Sequence, residues 1–392
     1  MKYLFYLLPG LLNVVMGLFF FITAKRLADA GASALAVTAT MPMWALIYAA
    51  SSFIIGKYTT RNNAVKITLI SQFILLVSMI GLLTVPSEKL QYCWLLLSGL
   101  GTGLFFAPFQ AVVKLFEKVE VSPETFARSA STYTFSWSTG QGLGPMAAAL
   151  VWGLFDPVNG WKYCYIVNIT LVVIVIASLF VMQKFIRRRL AETPAVDSGK
   201  SVNTVQSSGL PDVMKSAWVL ALGGFTAIAV LRSYLPSFAT GTLNLPTSAQ
   251  GVMLSLISLV QGAVALMCFR TRRWPFRPWG GLLTTVLAVI ALVMFAMCST
   301  APFAWAAAML FGVFSGIFCF NITYHALANS DKSAKYAAVN ETIVGGTAVF
   351  APIAAGMIAD TAGVRMPFYC VIIILLVTGI IFTKQLWQYR KF

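Results

Sequence analysis

The chain has 392 residues, of which 59% are apolar and only 10% charged, and its formal net charge is +16. A soluble domain carries about 25% charged and about 45–50% apolar residues, so there is too little charge here to cover a water-facing surface of this size. That balance excludes a cytosolic globular enzyme, a disordered chain and a disulfide-rich secreted module, and it leaves a protein whose solvent is mostly lipid.

A membrane-spanning helix needs about 20 mainly apolar residues. Twelve such runs follow one another, at 4–24, 33–55, 66–85, 91–114, 127–152, 162–184, 215–238, 248–270, 279–299, 303–326, 335–358 and 366–386. The first is too long to be the apolar core of a cleaved signal peptide. Only helices or closed barrels satisfy the backbone in hydrocarbon. These runs are about twice the length of a barrel strand and do not alternate, so helices are expected throughout. The fold class is therefore an all-α polytopic membrane protein with twelve transmembrane helices. Connections are short except between Lys184 and Lys215, where Ser, Pro, Gly and charged residues gather. This composition predicts a six-helix bundle at 1–186, a linker at 187–214 and a second six-helix bundle at 215–392.

Of the 28 Lys and Arg residues, 22 fall in loops on the side of the two termini, five on the opposite side, and Arg232 within a span. The positive-inside rule then predicts that both termini and the linker are cytoplasmic, in an inner or plasma membrane. It also explains the net charge without invoking nucleic acid. The six cysteines are scattered without any C-x-x-C, and His325 is the only histidine. No disulfide framework, metal site or cofactor is therefore expected.

The two halves repeat. Gly99-Leu-Gly-Thr-Gly103-Leu-Phe in span four matches Gly312-Val-Phe-Ser-Gly316-Ile-Phe in span ten at an offset of 213. Gly140-Gln-Gly-Leu-Gly144-Pro145 in span five matches Thr347-Ala-Val-Phe-Ala351-Pro352 in span eleven at an offset of 207, with Arg128 falling on Lys335. Parallel repeats of this kind place a transporter's site between the halves, near the midplane. Gly140, Gly144 and Ala148 share one helix face, where small residues let helix backbones approach closely in lipid. Pro145 removes one helix hydrogen bond and permits a bend.

With its twelve spans, six-plus-six division and central linker, the whole chain resembles the major facilitator superfamily. Span five carries Gly140-Gln-Gly-Leu-Gly144-Pro145-Met-Ala-Ala148-Ala149, which resembles the superfamily's antiporter-type G-x-x-x-G-P-x-x-G-G with both final glycines replaced by alanine. The loop after span two resembles G-x-x-x-D-R-x-G-R-R through Gly56 and Arg61, with Thr60 at the acidic position and Asn63 at the second glycine. Gly160-Trp161-Lys162 resembles the G-W-R seen before span six. The span-four arginine of many proton antiporters is absent; that helix offers only Gln91 and Gln110. The resemblance implies a secondary transporter working by alternating access. It implies gating or packing roles for Gly56, Arg61, Gly140, Gly144 and Pro145. It also implies a central cavity lined by spans one, four, seven and ten, which singles out Asn13, Gln110, Arg232 and Asn321.

Ionisable residues at membrane depth are costly and mark pathways. Two stand out. Arg232, deep in span seven, suits a carboxylate or other anion because its planar fork makes bidentate contacts. Its alternatives are snorkelling outward or pairing with Asp29. Glu341, near the start of span eleven, suits a protonatable coupling role; its alternatives are a gate-side hydrogen bond to Lys335 or His325, or the capping of a broken helix. Trp137, Gln141, Gln261, Tyr324 and Asn340 join the neutral candidates near mid-depth, with Asn321, Tyr324 and His325 on one helix face. No phosphate-cradling G-x-x-x-x-G-K-S/T occurs, nor any nucleophile–base pair, so neither ATP drive nor an enzyme is expected. The reading is a monomeric, lipid-embedded, proton-coupled transporter of a small organic solute. The span-five motif favours export of an amphipathic compound, and Arg232 favours uptake or exchange of an anionic metabolite. The alternative from another class is a non-transporting membrane sensor or assembly factor on the same fold.

Overall fold

The apolar runs become helices because each continues for five or more turns without a break that the membrane could not satisfy. The computed structural model describes residues 2–60, 63–85, 87–114, 123–155, 158–192, 211–270, 274–328 and 333–389. The first half comprises α1 (Lys2–Asp29), α2 (Ala34–Thr38), α3 (Thr40–Tyr58), α4 (Ala64–Thr84), α5 (Gln91–Lys114), α6 (Pro123–Phe155) and α7 (Gly160–Glu192). The second comprises α8 (Met214–Gly241), α9 (Thr247–Met267), α10 (Pro278–Met297), α11 (Ala301–Ala328), α12 (Ser333–Ala362) and α13 (Met366–Leu386). Helices α2 and α3 meet at Ala39 and form one span. The twelve expected spans are thus twelve helical spans, and no strand occurs among the described residues. Ten of the spans are long and apolar enough to cross a membrane by that measure alone. The other two, α5 and α6, complete the bundles. Helix α7 runs on to Glu192, past the expected end of the first half, and most of the expected linker lies outside the described residues.

Lys25 and Arg26, expected in an outer loop, instead belong to the last turns of α1 and are buried. Lys25 pairs with Asp29 at 2.7 Å. Arg26 donates to the Val85 carbonyl at 3.0 Å and lies 3.8 Å from the centre of the Trp161 ring. The Gly160-Trp161-Lys162 segment therefore supplies an aromatic lid for a buried cation.

The repeat read from the sequence reappears as packing. A Cβ on Gly103 would collide with Ser51 and the Tyr48 carbonyl of α3, and one on Gly316 would lie 2.6 Å from the Gln261 carbonyl of α9. Tyr48 and Gln261 are themselves 213 residues apart. The contacts between halves obey the same offsets. Gly251 of α9 packs on Ala149 of α6, and Gly356 of α12 packs on Thr38 of α2. Gly262 packs on Ser138 and Thr139, while Gly345 packs on Ala49. Adding 213 to Thr38 and Ala49 gives 251 and 262; adding 207 to Ser138 and Ala149 gives 345 and 356. At each crossing one helix gives up its side chain, and in the symmetry-related crossing the other helix does so.

Large apolar side chains such as Leu150, Leu154, Val181, Leu282, Ile373 and Ile380 point outward and are exposed, as a lipid-facing surface requires. Within the first half, Gly140 and Gly144 face α1: a Cβ on Gly144 would sit 2.6 Å from Gly17 C and Leu18 N. Gly56 differs, for it is exposed and a Cβ there would meet nothing.

These environments predict opposite outcomes. Gly144→Ala forces two backbones apart and should destabilise the protein by about 1–3 kcal/mol. Gly56→Ala should be neutral or stabilising by about 0.5–1 kcal/mol through helix propensity. Thermal unfolding of the two purified variants beside the parent protein would check both.

Candidate functional site

A cavity of about 60 Å³ lies between the two halves. Helix α1 contributes Gly17, Phe20, Phe21 and Ala24, and the start of α3 adds Thr40 and Met41. Gln141 and Pro145 enter from α6, Leu254 and Ser258 from α9, and Arg232, Ser233 and Pro236 from α8. Arg232 is the single ionisable side chain on this lining. Its Nη2 is buried without a hydrogen-bond partner, and among the described residues no carboxylate pairs with it. Asp29, a conceivable partner in the sequence, is held by Lys25. The nearest compensation is Trp137 of the opposite half, whose ring centre lies 6.0 Å from the guanidinium carbon, at the outer range of a cation–π contact.

The other polar candidates mostly satisfy one another. Asn13 donates to the Pro9 carbonyl at 2.8 Å and accepts from Gln141 Nε2 at 3.1 Å, which ties α1 to α6. Gln261 is fully buried and joins three helices: it donates to Ser138 Oγ at 2.7 Å and accepts from Ser315 Oγ. Asn340 accepts from Trp218 Nε1 at 2.9 Å. Asn321 is buried on α11 with its Oδ1 unpartnered. Tyr324 packs in an aromatic group with Phe276, Phe320 and His325. His325 is buried, with Nε2 3.3 Å from the Pro275 carbonyl, and holds a turn rather than facing the cavity. Gln110 lies on α5, but its side chain falls outside the described residues, as does Arg61 entirely.

Glu341 is solvent-exposed although it sits inside a spanning helix. Its Oε2 accepts a bond from Tyr48 of α3, in the other half, at 3.5 Å. His325 bonds to the Pro275 carbonyl instead, and the Lys335 side chain falls outside the described residues. The loop where Thr60 and Asn63 stand closes on itself instead. Asn63 Oδ1 accepts from Thr60 N at 2.7 Å, Thr60 Oγ1 accepts from Asn63 N at 3.3 Å, and Asn63 Nδ2 donates to the Tyr58 carbonyl at 2.8 Å. A local reciprocal cap therefore stands where the family pattern has an acid and a glycine.

At the end of the bundle away from the termini, the halves are latched by a residue that sequence reading did not single out. Helix α2 begins at Ala34 with free backbone donors. Ser33 Oγ takes Ala36 N at 3.2 Å, while Asp360 of α12 takes Ala34 N and Leu35 N, each at 3.0 Å. One half thus caps a helix of the other, and Gly356, one turn earlier, brings the helices close enough to allow it. The available signal was an acid at the outer end of span eleven; its partners are backbone groups, which no residue pattern reveals.

With this geometry in hand, the chain can be compared with known proteins. Residues 7–340 match the Major Facilitator Superfamily. The chain belongs to that superfamily. It is an integral, multi-pass membrane transporter and not an enzyme. No curated protein matches its sequence. Among solved structures it resembles a bacterial homologue of the human lysosomal transporter Spinster, in an inward-facing and unoccupied conformation. The TM-score is 0.72 at 13% identity, covering 100% of this chain and 97% of that one. It also resembles the nucleoside transporter NupG, with a TM-score of 0.66 at 11% identity over 97% of this chain and 98% of that one. The human organic anion transporter MFSD10 aligns with a TM-score of 0.62 at 13% identity over 97% of both chains. Identities this low establish the shared fold alone.

The latch yields a test. Asp360→Ala removes a helix cap, a loss of about 1 kcal/mol, and should raise the population open at that end about fivefold. Spin labels on exposed Ala30 and Ala362 would report this as a growing long-distance component in pulsed electron paramagnetic resonance. Asp360→Asn should give a smaller increase. An unchanged distance distribution in the alanine variant would remove the latch from the gating cycle.

Proposed function

We propose that this protein moves a small organic anion across an inner or plasma membrane by alternating access, using Arg232 as the anchor for the anionic group. The observation that carries this reading is the partly buried guanidinium on the cavity between the halves, its Nη2 buried without a partner and no described carboxylate paired with it. Leaving a cation unpaired at membrane depth is costly, and a bound anion would supply the missing charge through charge-assisted hydrogen bonds. The cavity is smaller than the 300–1,000 Å³ of ordinary ligand sites, so substrate binding requires the halves to part, as rocking about the shared seams would allow. Phe20, Phe21, Met41 and Leu254 on the lining suit an apolar body on the substrate. This combines the two readings of the sequence, an amphipathic solute that is also anionic. The span-five motif favours export as its direction.

Glu341 is the candidate coupling residue. It reaches solvent on one side and the opposite half on the other, through Tyr48. Gaining or losing a proton there would alter a contact between the halves, which is what coupling requires. The excess of basic residues at the terminal end of the bundle supports a cytoplasmic location for that end. A complete cavity within one chain supports action as a monomer, with protons and a small solute as the partners. Gly140, Gly144 and Pro145 would serve as the packed surface on which α1 and α6 move together. A sensor on the same fold would need none of this and should tolerate loss of both Arg232 and Glu341.

Transport into proteoliposomes separates these roles. Arg232→Lys should weaken transport of a carboxylate far more than of its neutral analogue. Arg232→Ala should remove about 1.5–3 kcal/mol of binding, tenfold or more in affinity. Equal losses for the charged and neutral compounds would make Arg232 architectural. Glu341→Gln should abolish pH-driven transport while sparing counterflow exchange, and equal loss of both would reject coupling at this residue.

A further inference from the structure

We infer that the substrate carries a single negative charge and no positive one: an amphipathic monoanion, as distinct from a dianion or a short zwitterion. The inference rests on the anion-transport reading and adds charge stoichiometry to it. The cavity lining holds one cation, Arg232; its other polar groups are the neutral Thr40, Gln141, Ser233 and Ser258. Where the site closes around its ligand and sheds water, each unmatched charge carries a large desolvation penalty. One anionic group on the ligand balances the guanidinium, and a second would be left without a counter-ion. The ammonium of an amino acid would likewise meet no carboxylate.

The described acids Asp29, Asp360 and Glu341 do not rescue either case. On α1, Asp29 is committed to Lys25 at 2.7 Å, beyond the cavity's end at Ala24. Asp360 is committed to the Ala34 and Leu35 amides at the outer closure. Glu341 is bonded to Tyr48, seven residues along α3 from the lining residue Met41, or roughly 10 Å at about 1.5 Å per residue. An α-amino acid carries both charged groups on one carbon and cannot bridge that gap. Trp137 fits the same logic from the other side. Its ring lies 6.0 Å from the guanidinium carbon and partly offsets the lone cation, a provision for one positive charge and no more.

The test uses four compounds on one carbon skeleton: 3-phenylpropanoate (monoanion), benzylmalonate (dianion at neutral pH), phenylalanine (zwitterion) and 3-phenylpropanamide (neutral). Thermal unfolding of the purified full-length protein is followed against concentration of each. The monoanion should stabilise the protein, with the other three at least about tenfold weaker, a difference of about 1.4 kcal/mol. Arg232→Ala should abolish the monoanion's effect. Ser258→Asp, which adds the missing acid to the lining, should also abolish it, and this keeps the test decisive if the arginine variant does not fold. Benzylmalonate or phenylalanine binding within about twofold of the monoanion, with Arg232 still required, would overturn the charge stoichiometry and leave anion transport standing. Equal binding of the amide that survives Arg232→Ala would overturn both. Stabilisation by none of the four, or an undiminished monoanion effect in Ser258→Asp, would also overturn the inference.

Discussion

In hydrocarbon no hydrophobic force draws one helix to another, so cohesion depends on how closely helix backbones can approach. In this chain, approach is bought with missing side chains. Gly99 and Gly103 admit α3, Gly312 and Gly316 admit α9, and Gly140 with Gly144 admit α1. Between the halves the same device is used with alternating ownership: Gly251 and Gly262 on α9, then Gly345 and Gly356 on α12. Such seams hold by van der Waals contact over flat surfaces. They can therefore slide or part without breaking many strong bonds, as a transporter that must open alternately at each end requires.

Polar groups follow a second constraint, for each must find a partner inside the protein. Most do. Asn13 and Gln141 satisfy each other, Gln261 is shared between Ser138 and Ser315, and the Arg26 guanidinium is bonded to the Val85 carbonyl and covered by Trp161. Against that background Arg232 stands out as the ionisable side chain on the cavity lining. Its charge is the one left unmatched on the cavity lining, and its closest relief comes from an aromatic ring in the opposite half. The two acids that cross between halves, Asp360 and Glu341, sit respectively at the end of the bundle away from the termini and at an exposed position near the start of α12. Both are positioned to feel the relative motion of the bundles.

Much of this was legible in the residues. Twelve apolar runs became twelve helical spans, and the offsets of 213 and 207 read from short glycine motifs also relate the residues found to meet across the inter-half seams. Arg232 was legible because a charge inside an apolar run is conspicuous. Other features were not. The loop around Thr60 and Asn63 departs from the family pattern, and its reciprocal hydrogen bonds close Thr60 and Asn63 onto each other. Lys25 and Arg26 read as loop residues because basic side chains usually end a span; burial beside Asp29 and Trp161 keeps them in the helix instead.

The sequence by itself determined the medium, the number and order of the helices, the repeat, and the inventory of polar groups within the membrane, because all of these follow from local hydropathy and spacing. Only the tertiary structure decided which of those polar groups are consumed by one another and which, such as Arg232 Nη2 and Asn321 Oδ1, keep a buried atom without a partner. Those partners lie up to hundreds of residues apart, as Asp360 and Ala34 do, and some are backbone amides that carry no sequence signal. Helix neighbours set such pairings through close packing, and no pattern along a single helix records who its neighbours will be.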